Sequence, residues 1–307
     1  MVGVSSNVSV GRLLEEVKLS HIPLPPPHQV RLSYKVKTAY CDLTTRTITL
    51  NPKSKSLEWD YRHEIEHLNK YPRRLKQEFI HYYKALKLLT NERDRKLFRR
   101  LRKAIANIVY DALIDTELIQ KYHKVKVQVK EYLKSVVNPH ILDQARMLAV
   151  QGKKDSWLDY EHPEVSFVYV SKWLKENLDK LDQFKSDYNV GVNEEDIAEA
   201  IVDLVDEEGD EGDVVREAER YLGRSVSRHK LIEALIRSRF NFIVKATFDF
   251  KIISEASREV YDIWRLGEPV DELLVREAVR SYGVVIPSHN TLRLKTVRAI
   301  HQFTNWR

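Results

Sequence analysis

The stretch RTITLNPKSKSLEWDYRHEIEHLNK at residues 46–70 decides the fold of this chain, because it leads from a strand directly into a helix. Its first five residues, 46–50, alternate and are rich in β-branched side chains, which favours a β-strand. The dipeptide Asn51-Pro52 closes that strand. A helix is predicted from Leu57 to about Lys70, and Pro72 ends it. The chain therefore changes from β to α structure at this point.

The predicted helix contains the sequence His63-Glu64-Ile65-Glu66-His67, which fits the pattern H-E-x-x-H. Positions i and i+4 of a helix lie on one face, so both imidazoles can reach a single zinc ion. Glu64 then lies beside the metal and can accept a proton from a water whose pKa the metal lowers. The pattern predicts one Zn²⁺ per chain, with His63 and His67 as ligands and Glu64 as catalytic base. The alternative is a solvated helix face that happens to carry two histidines.

A third metal ligand is predicted on the third helix, over residues 94–122. Residues 104–114, AIANIVYDALI, are apolar nearly all round, which indicates burial of that part of the helix. Asn107 and Asp111 interrupt this stretch at i and i+4. A buried aspartate is costly unless it is paired or binds a metal, so Asp111 is the predicted ligand. A structural pairing of Asp111 with an arginine is the alternative. The reserve candidates for the third ligand are Asp115, Glu117, Glu78 and Glu92.

The remaining periodicities predict an α+β fold that is predominantly helical. Residues 30–38 alternate like a strand and are expected to form an antiparallel hairpin over 30–50, with a turn at 42–45. A small N-terminal sheet of this kind would pack on the helix that carries the motif. We expect a catalytic domain over residues 1–135 and a helical domain over residues 136–307.

The segment HEIEH at 63–67, followed by ANIVYDALID at 106–115, resembles a zincin-type metallopeptidase domain. That domain occurs beside von Willebrand A-type domains in bacteria and archaea. The resemblance covers residues 45–120 and implies a zinc-dependent hydrolase of the metallopeptidase kind, with Asp111 as third ligand and a peptide or protein substrate. It also implies that residues 46–50 form an edge strand that pairs with substrate, and that an AAA-type ATPase or a von Willebrand A-type protein is a partner. Two positions depart from the family: Glu66 is charged, and Asp115 stands where asparagine is common.

The amino-acid composition limits which classes of protein this chain can belong to. The 307 residues are 43% hydrophobic and 31% charged, which is typical of a globular protein, and no apolar run reaches the length of a membrane span. Cys41 is the single cysteine, which excludes an intramolecular disulfide and a cysteine-based zinc site and favours a cytoplasmic location. The basic cluster over residues 93–103 is interpreted as a solvated face, so nucleic acid is not an expected partner. A non-catalytic zinc-containing adaptor that works with an ATPase or nucleic acid is the alternative function.

Overall fold

The computed structural model describes residues 29–183, 188–208, 211–227, 229–231 and 233–234. The chain forms two compact units, residues 1–191 and 192–307. The first unit extends beyond the predicted boundary at residue 135 because the helices at 141–150 and 163–176 pack against the helix at 92–121. The part of the predicted helical domain beyond Ala234 lies outside the described residues.

The first unit contains a small sheet of four strands, β1 (Gln29–Leu32), β2 (Ala39–Asp42), β3 (Thr47–Leu50) and β4 (Tyr188–Asn189). Their order in the sheet is β1-β3-β2-β4. β3 pairs antiparallel with β2, with Ala39 opposite Leu50, and pairs parallel with β1. The predicted pairing of residues 30–38 with 46–50 as an antiparallel hairpin is therefore wrong, because the hairpin partner of β3 is the short strand at 39–42.

The turn of the hairpin explains this register. The Asp42 carboxylate accepts hydrogen bonds from the backbone N–H groups of Thr44 and Thr45, at 2.9 and 3.1 Å. Arg46 then adopts a positive φ of 51° and brings the chain back into β3. An aspartate that caps its own turn in this way starts the turn at residue 42, as predicted, and so ends the preceding strand there. β3 has neighbours on both sides, so the prediction that residues 46–50 form an edge strand is also wrong.

Helices form most of the described structure. In the first unit they are α1 (Leu57–Asn69), α2 (Leu75–Leu88), α3 (Glu92–Lys121), α4 (His123–Leu133), α5 (Ile141–Val150) and α6 (Pro163–Glu176), followed by a 3₁₀ helix at Leu178–Gln183. The second unit contains α7 (Glu194–Glu208) and α8 (Glu211–Leu222). The predicted class, α+β and predominantly helical, is confirmed. Among the described residues, no helix combines the length and the apolar character that crossing a membrane requires.

Helix α1 lies between the sheet and α3. It contacts β2 and β3 on one side and α3 on the other. The apolar stretch of α3 is buried, as its composition predicts, and α3 also packs against α5 and α6. The long helix α3 is therefore the element against which the motif helix is positioned.

Helix α4 occupies a segment, VKVQVKEYL, whose alternation resembles a strand. It is nevertheless helical, with Val125 and Val129 both fully buried one turn apart. These two valines join a cluster with Trp59 of α1, Leu118 of α3 and other apolar residues. The packing of one helical face against this cluster outweighs the local β-propensity of the valines.

Candidate metal centre

Three predicted ligands come together between α1 and α3. The side chains of His63, His67 and Asp111 are 6%, 0% and 2% exposed. The two histidine Nε2 atoms lie 3.1 Å apart, and each lies 3.5 Å from Asp111 Oδ1. A tetrahedral ion with bonds of about 2.0–2.1 Å separates its ligand atoms by roughly 3.3–3.4 Å. The three atoms are therefore spaced as they must be to share one metal ion.

The Asp111 carboxylate supports this interpretation. Its Oδ1 atom is buried and accepts no hydrogen bond within the part of the chain that the structure describes. A buried carboxylate oxygen without a partner is costly, and a cation at the centre of the cluster would satisfy it. The alternative of an arginine partner for Asp111 does not match the structure, because the arginine in this region pairs with Asp115 instead.

The second ring nitrogen of each histidine is held by an acceptor. Nδ1 of His63 lies 2.8 Å from Asp115 Oδ1, and Nδ1 of His67 lies 2.5 Å from the backbone oxygen of Tyr71. A carboxylate and a carbonyl only accept, so each ring donates through Nδ1–H. In the neutral form of each ring, Nε2 therefore carries the lone pair, which is the tautomer of a histidine that binds metal through Nε2. Two such acceptors at 3.1 Å require a cation or a proton between them.

Asp115, a reserve candidate for the third ligand, lies behind His63 rather than within the cluster. Its Oδ1 also accepts from Trp59 Nε1 at 2.7 Å, and its Oδ2 accepts from Arg146 Nε at 2.8 Å. Burial acts to raise the pKa of Asp115, but the charge of Arg146 and the contacts with His63 outweigh it and lower that pKa. An ionised Asp115 is thus suited to orient the His63 ring.

The other reserve candidates lie outside the cluster. Glu117 pairs with Lys70 at 2.5 Å. The group of potential metal ligands found among the described residues consists of the two histidines and Asp111. Glu78 and Glu92 do not belong to it. Asp111 is therefore the carboxylate that the fold brings to the paired imidazoles.

Glu64 faces the same cavity as two of the candidate ligands, His63 and Asp111. This cavity has a volume of about 750 Å³, and its lining includes His63, Glu64, Asn107 and Asp111. Asn107 and Asp111 both line this cavity, as expected for two residues spaced at i and i+4 on one helix. Glu66 does not line the cavity and lies 4.0 Å from Lys70. Of the two glutamates in the motif, Glu64 is the one placed to act on a molecule in the cavity.

Three contributors to the site were not predicted from the sequence: the Trp59 indole, the Tyr71 carbonyl and Arg146. A signal for Arg146 does exist, since the helix ILDQARMLAV at 141–150 is apolar apart from a few polar positions. Within it, Asp143 and Arg146 are spaced at i and i+3 and are both buried. Such a pair in an apolar helix indicates a buried ionic network. The Tyr71 carbonyl has no signal in the side-chain pattern.

Comparison of the chain with protein-family models, with curated proteins and with solved structures found no match. The chemistry of the site is therefore inferred from its own residues and their geometry.

Metal binding is expected to weaken as the pH falls. Burial acts to lower the pKa of His63, but Asp115 and Asp111 outweigh it and raise that pKa well above its ordinary value. A raised pKa favours a second proton on the His63 ring, at Nε2, and that proton adds stability to the metal-free fold until the pH rises through the raised pKa. A metal must displace it, so each binding event should release about one proton.

The measurement is the difference in melting temperature between metal-loaded and metal-free protein, which should grow as the pH rises. Titration calorimetry in two buffers with different ionisation enthalpies would count the released protons. A binding constant and proton count that do not change with pH would contradict this expectation.

Proposed function

We propose that this protein is a zinc-dependent hydrolase, a metallopeptidase in which His63, His67 and Asp111 hold the metal and Glu64 is the general base. One observation carries the proposal. The two Nε2 atoms and Asp111 Oδ1 converge within 3.5 Å of one another, and His63, Asp111 and Glu64 line one cavity.

The donor set favours zinc in a catalytic site. Two imidazole nitrogens and one carboxylate oxygen suit zinc, and a set of three protein ligands leaves one tetrahedral position for another molecule. A structural zinc site is closed by four protein ligands, whereas the group found among the described residues has three. When bound, zinc lowers the pKa of water to about 7 and polarises a carbonyl group.

Each residue of the site has a role in this proposal. The carboxylate of Glu64 accepts a proton from the attacking water and then delivers it to the leaving amine. The Asp115 carboxylate and the Tyr71 carbonyl hold the two imidazoles by Nδ1, so that their Nε2 atoms stay directed at the ligand position. A non-catalytic adaptor needs neither a base nor an open cavity beside the metal, so the presence of both favours catalysis.

The cavity wall formed by residues 36–40 favours an extended peptide as substrate. This wall includes the first half of β2. β4 pairs with β2 at Cys41 and Asp42, and the two preceding residues of β2, Ala39 and Tyr40, line the cavity. An extended peptide in the cavity can contact the main chain of this segment through hydrogen bonds that do not depend on the peptide's sequence. Residues 36–40 thus replace residues 46–50 as the proposed substrate-binding strand, and an inhibitor complex with the peptide elsewhere would argue against this.

The purified protein is expected to contain about one zinc ion per chain, because the described part of the chain brings together one set of three ligands. Elemental analysis measures the metal, and cleavage of an unstructured protein measures the activity. Treatment with a chelator should remove both, and added zinc should restore both. A protein that takes up no transition metal after zinc is added back contradicts the metal site, and cleavage that survives complete metal removal contradicts the mechanism.

A further inference from the structure

Arg146 makes a fork of contacts behind the proposed metal site. It belongs to α5, and its side chain is buried. Its Nε and Nη2 atoms both contact Asp115 Oδ2, at 2.8 and 2.6 Å, and its Nη1 atom contacts Asp143 Oδ1 at 3.2 Å. The other oxygen of Asp115 contacts His63 Nδ1. A continuous chain of charged hydrogen bonds therefore runs from α5 to a candidate metal ligand.

We infer that Arg146 is a positioning residue for the metal centre. It fixes the Asp115 carboxylate and, through that carboxylate, the orientation of the His63 ring. The inference rests on the proposed metal site. It adds that tight metal binding requires α5, a helix that lies outside the stretch carrying the motif and the third ligand.

The geometry explains why an arginine is needed at this position. The guanidinium is planar, so two N–H groups on one aspartate and a third on another fix its plane, which a lysine ammonium cannot do. The guanidinium also lies 5.1 Å from the Trp59 ring and 5.6 Å from the Tyr132 ring, which confine it from the side. Without Arg146, Asp115 would be a buried anion held only by Trp59 and His63 and free to change its rotamer.

The test is the zinc affinity of Arg146→Met, measured by competition with a chelator of known affinity. Partners that orient metal-binding histidines typically contribute 10–100-fold in affinity, so a loss of about that size is expected. The d–d absorption bands of the cobalt-loaded protein should also shift, because the His63 ring is no longer held in one orientation. Arg146→Lys keeps the positive charge but lacks the planar guanidinium that contacts both aspartates, and it should therefore retain part of the affinity.

Arg62→Met is the matched control. Arg62 is as buried as Arg146, pairs with Glu58 at 3.0 Å and lies 3.9 Å from the Tyr122 ring. It is an arginine of the motif helix itself, yet its charged partner is Glu58 rather than Asp115. The substitution of Arg62 is expected to lower the melting temperature. The zinc affinity and the cobalt spectrum are expected to be the same as those of the wild type.

Wild-type zinc affinity and cobalt spectrum in Arg146→Met, or a loss no larger than that in Arg62→Met, would overturn the inference. If Arg146→Met does not fold, Arg146→Lys decides, and wild-type affinity and spectrum in that variant would overturn it. A wild-type protein that binds zinc without hydrolysing peptides would refute the proposed function and leave the positioning role of Arg146 standing. A wild-type protein that binds no zinc would overturn both.

Discussion

The substitution Glu64→Gln is expected to reduce peptide hydrolysis by about 10²–10⁴-fold while the zinc content stays at the wild-type level. The glutamine side chain has nearly the same shape as glutamate, but it cannot accept a proton from water at neutral pH. Glu64 lines the cavity and is not a member of the group formed by His63, His67 and Asp111, so the ligand set is unchanged. The loss should appear in kcat and not in the affinity for zinc.

Glu66→Gln provides the control for this experiment. Glu66 lies on the same helix, two residues away, but it lies near Lys70 and does not line the cavity. Its substitution should leave both kcat and zinc content near the wild-type values. Wild-type hydrolysis by Glu64→Gln would show that Glu64 is not the base, whereas loss of zinc in that variant would show that Glu64 is a ligand.

The substitution Asp111→Ala is expected to weaken zinc binding more than any change outside the ligand set. It removes one of three proposed ligands, and the loss should therefore exceed the roughly 10–100-fold that is typical of residues that only orient a ligand. Competition with a chelator measures the affinity. The gain in melting temperature that zinc confers on the wild type should also fall, because the stabilisation of the folded state by a ligand grows with the logarithm of the ligand concentration divided by Kd.

Asp115→Ala is the matched variant one helical turn further along α3. Asp115 contacts His63 Nδ1 and not the two Nε2 atoms, so its loss should weaken zinc binding by about 10–100-fold, less than the loss of Asp111. The reverse ranking would move the third ligand by one turn and leave the arrangement of α1 against α3 unchanged. Wild-type affinity in both variants would remove the third ligand from α3 altogether.

The helices that carry the site follow from local periodicity. The motif helix, predicted over residues 57–70, is observed at Leu57–Asn69, and the third helix, predicted over 94–122, is observed at Glu92–Lys121. Burial of the apolar stretch in α3 could also be predicted, because a helix that is apolar all round has no face for solvent. The strand pairing could not be predicted in this way. The alternation of residues 30–38 indicates which side chains share a face, but it does not indicate which strand lies next to this segment.

The sequence by itself determined that two imidazoles lie on one helix face with Glu64 beside them, and that the helix bearing the aspartates is buried. Helix pitch imposes the first relation, and the apolar composition of residues 104–114 imposes the second. Only the tertiary structure decided that Asp111 faces the two Nε2 atoms while Asp115 faces His63 Nδ1 and Arg146. Both aspartates lie on the same side of α3, one turn apart, so their roles depend on how α1 crosses α3 and on where α5 packs. Those positions are set by the burial of side chains that are distant in sequence, and no local pattern encodes them.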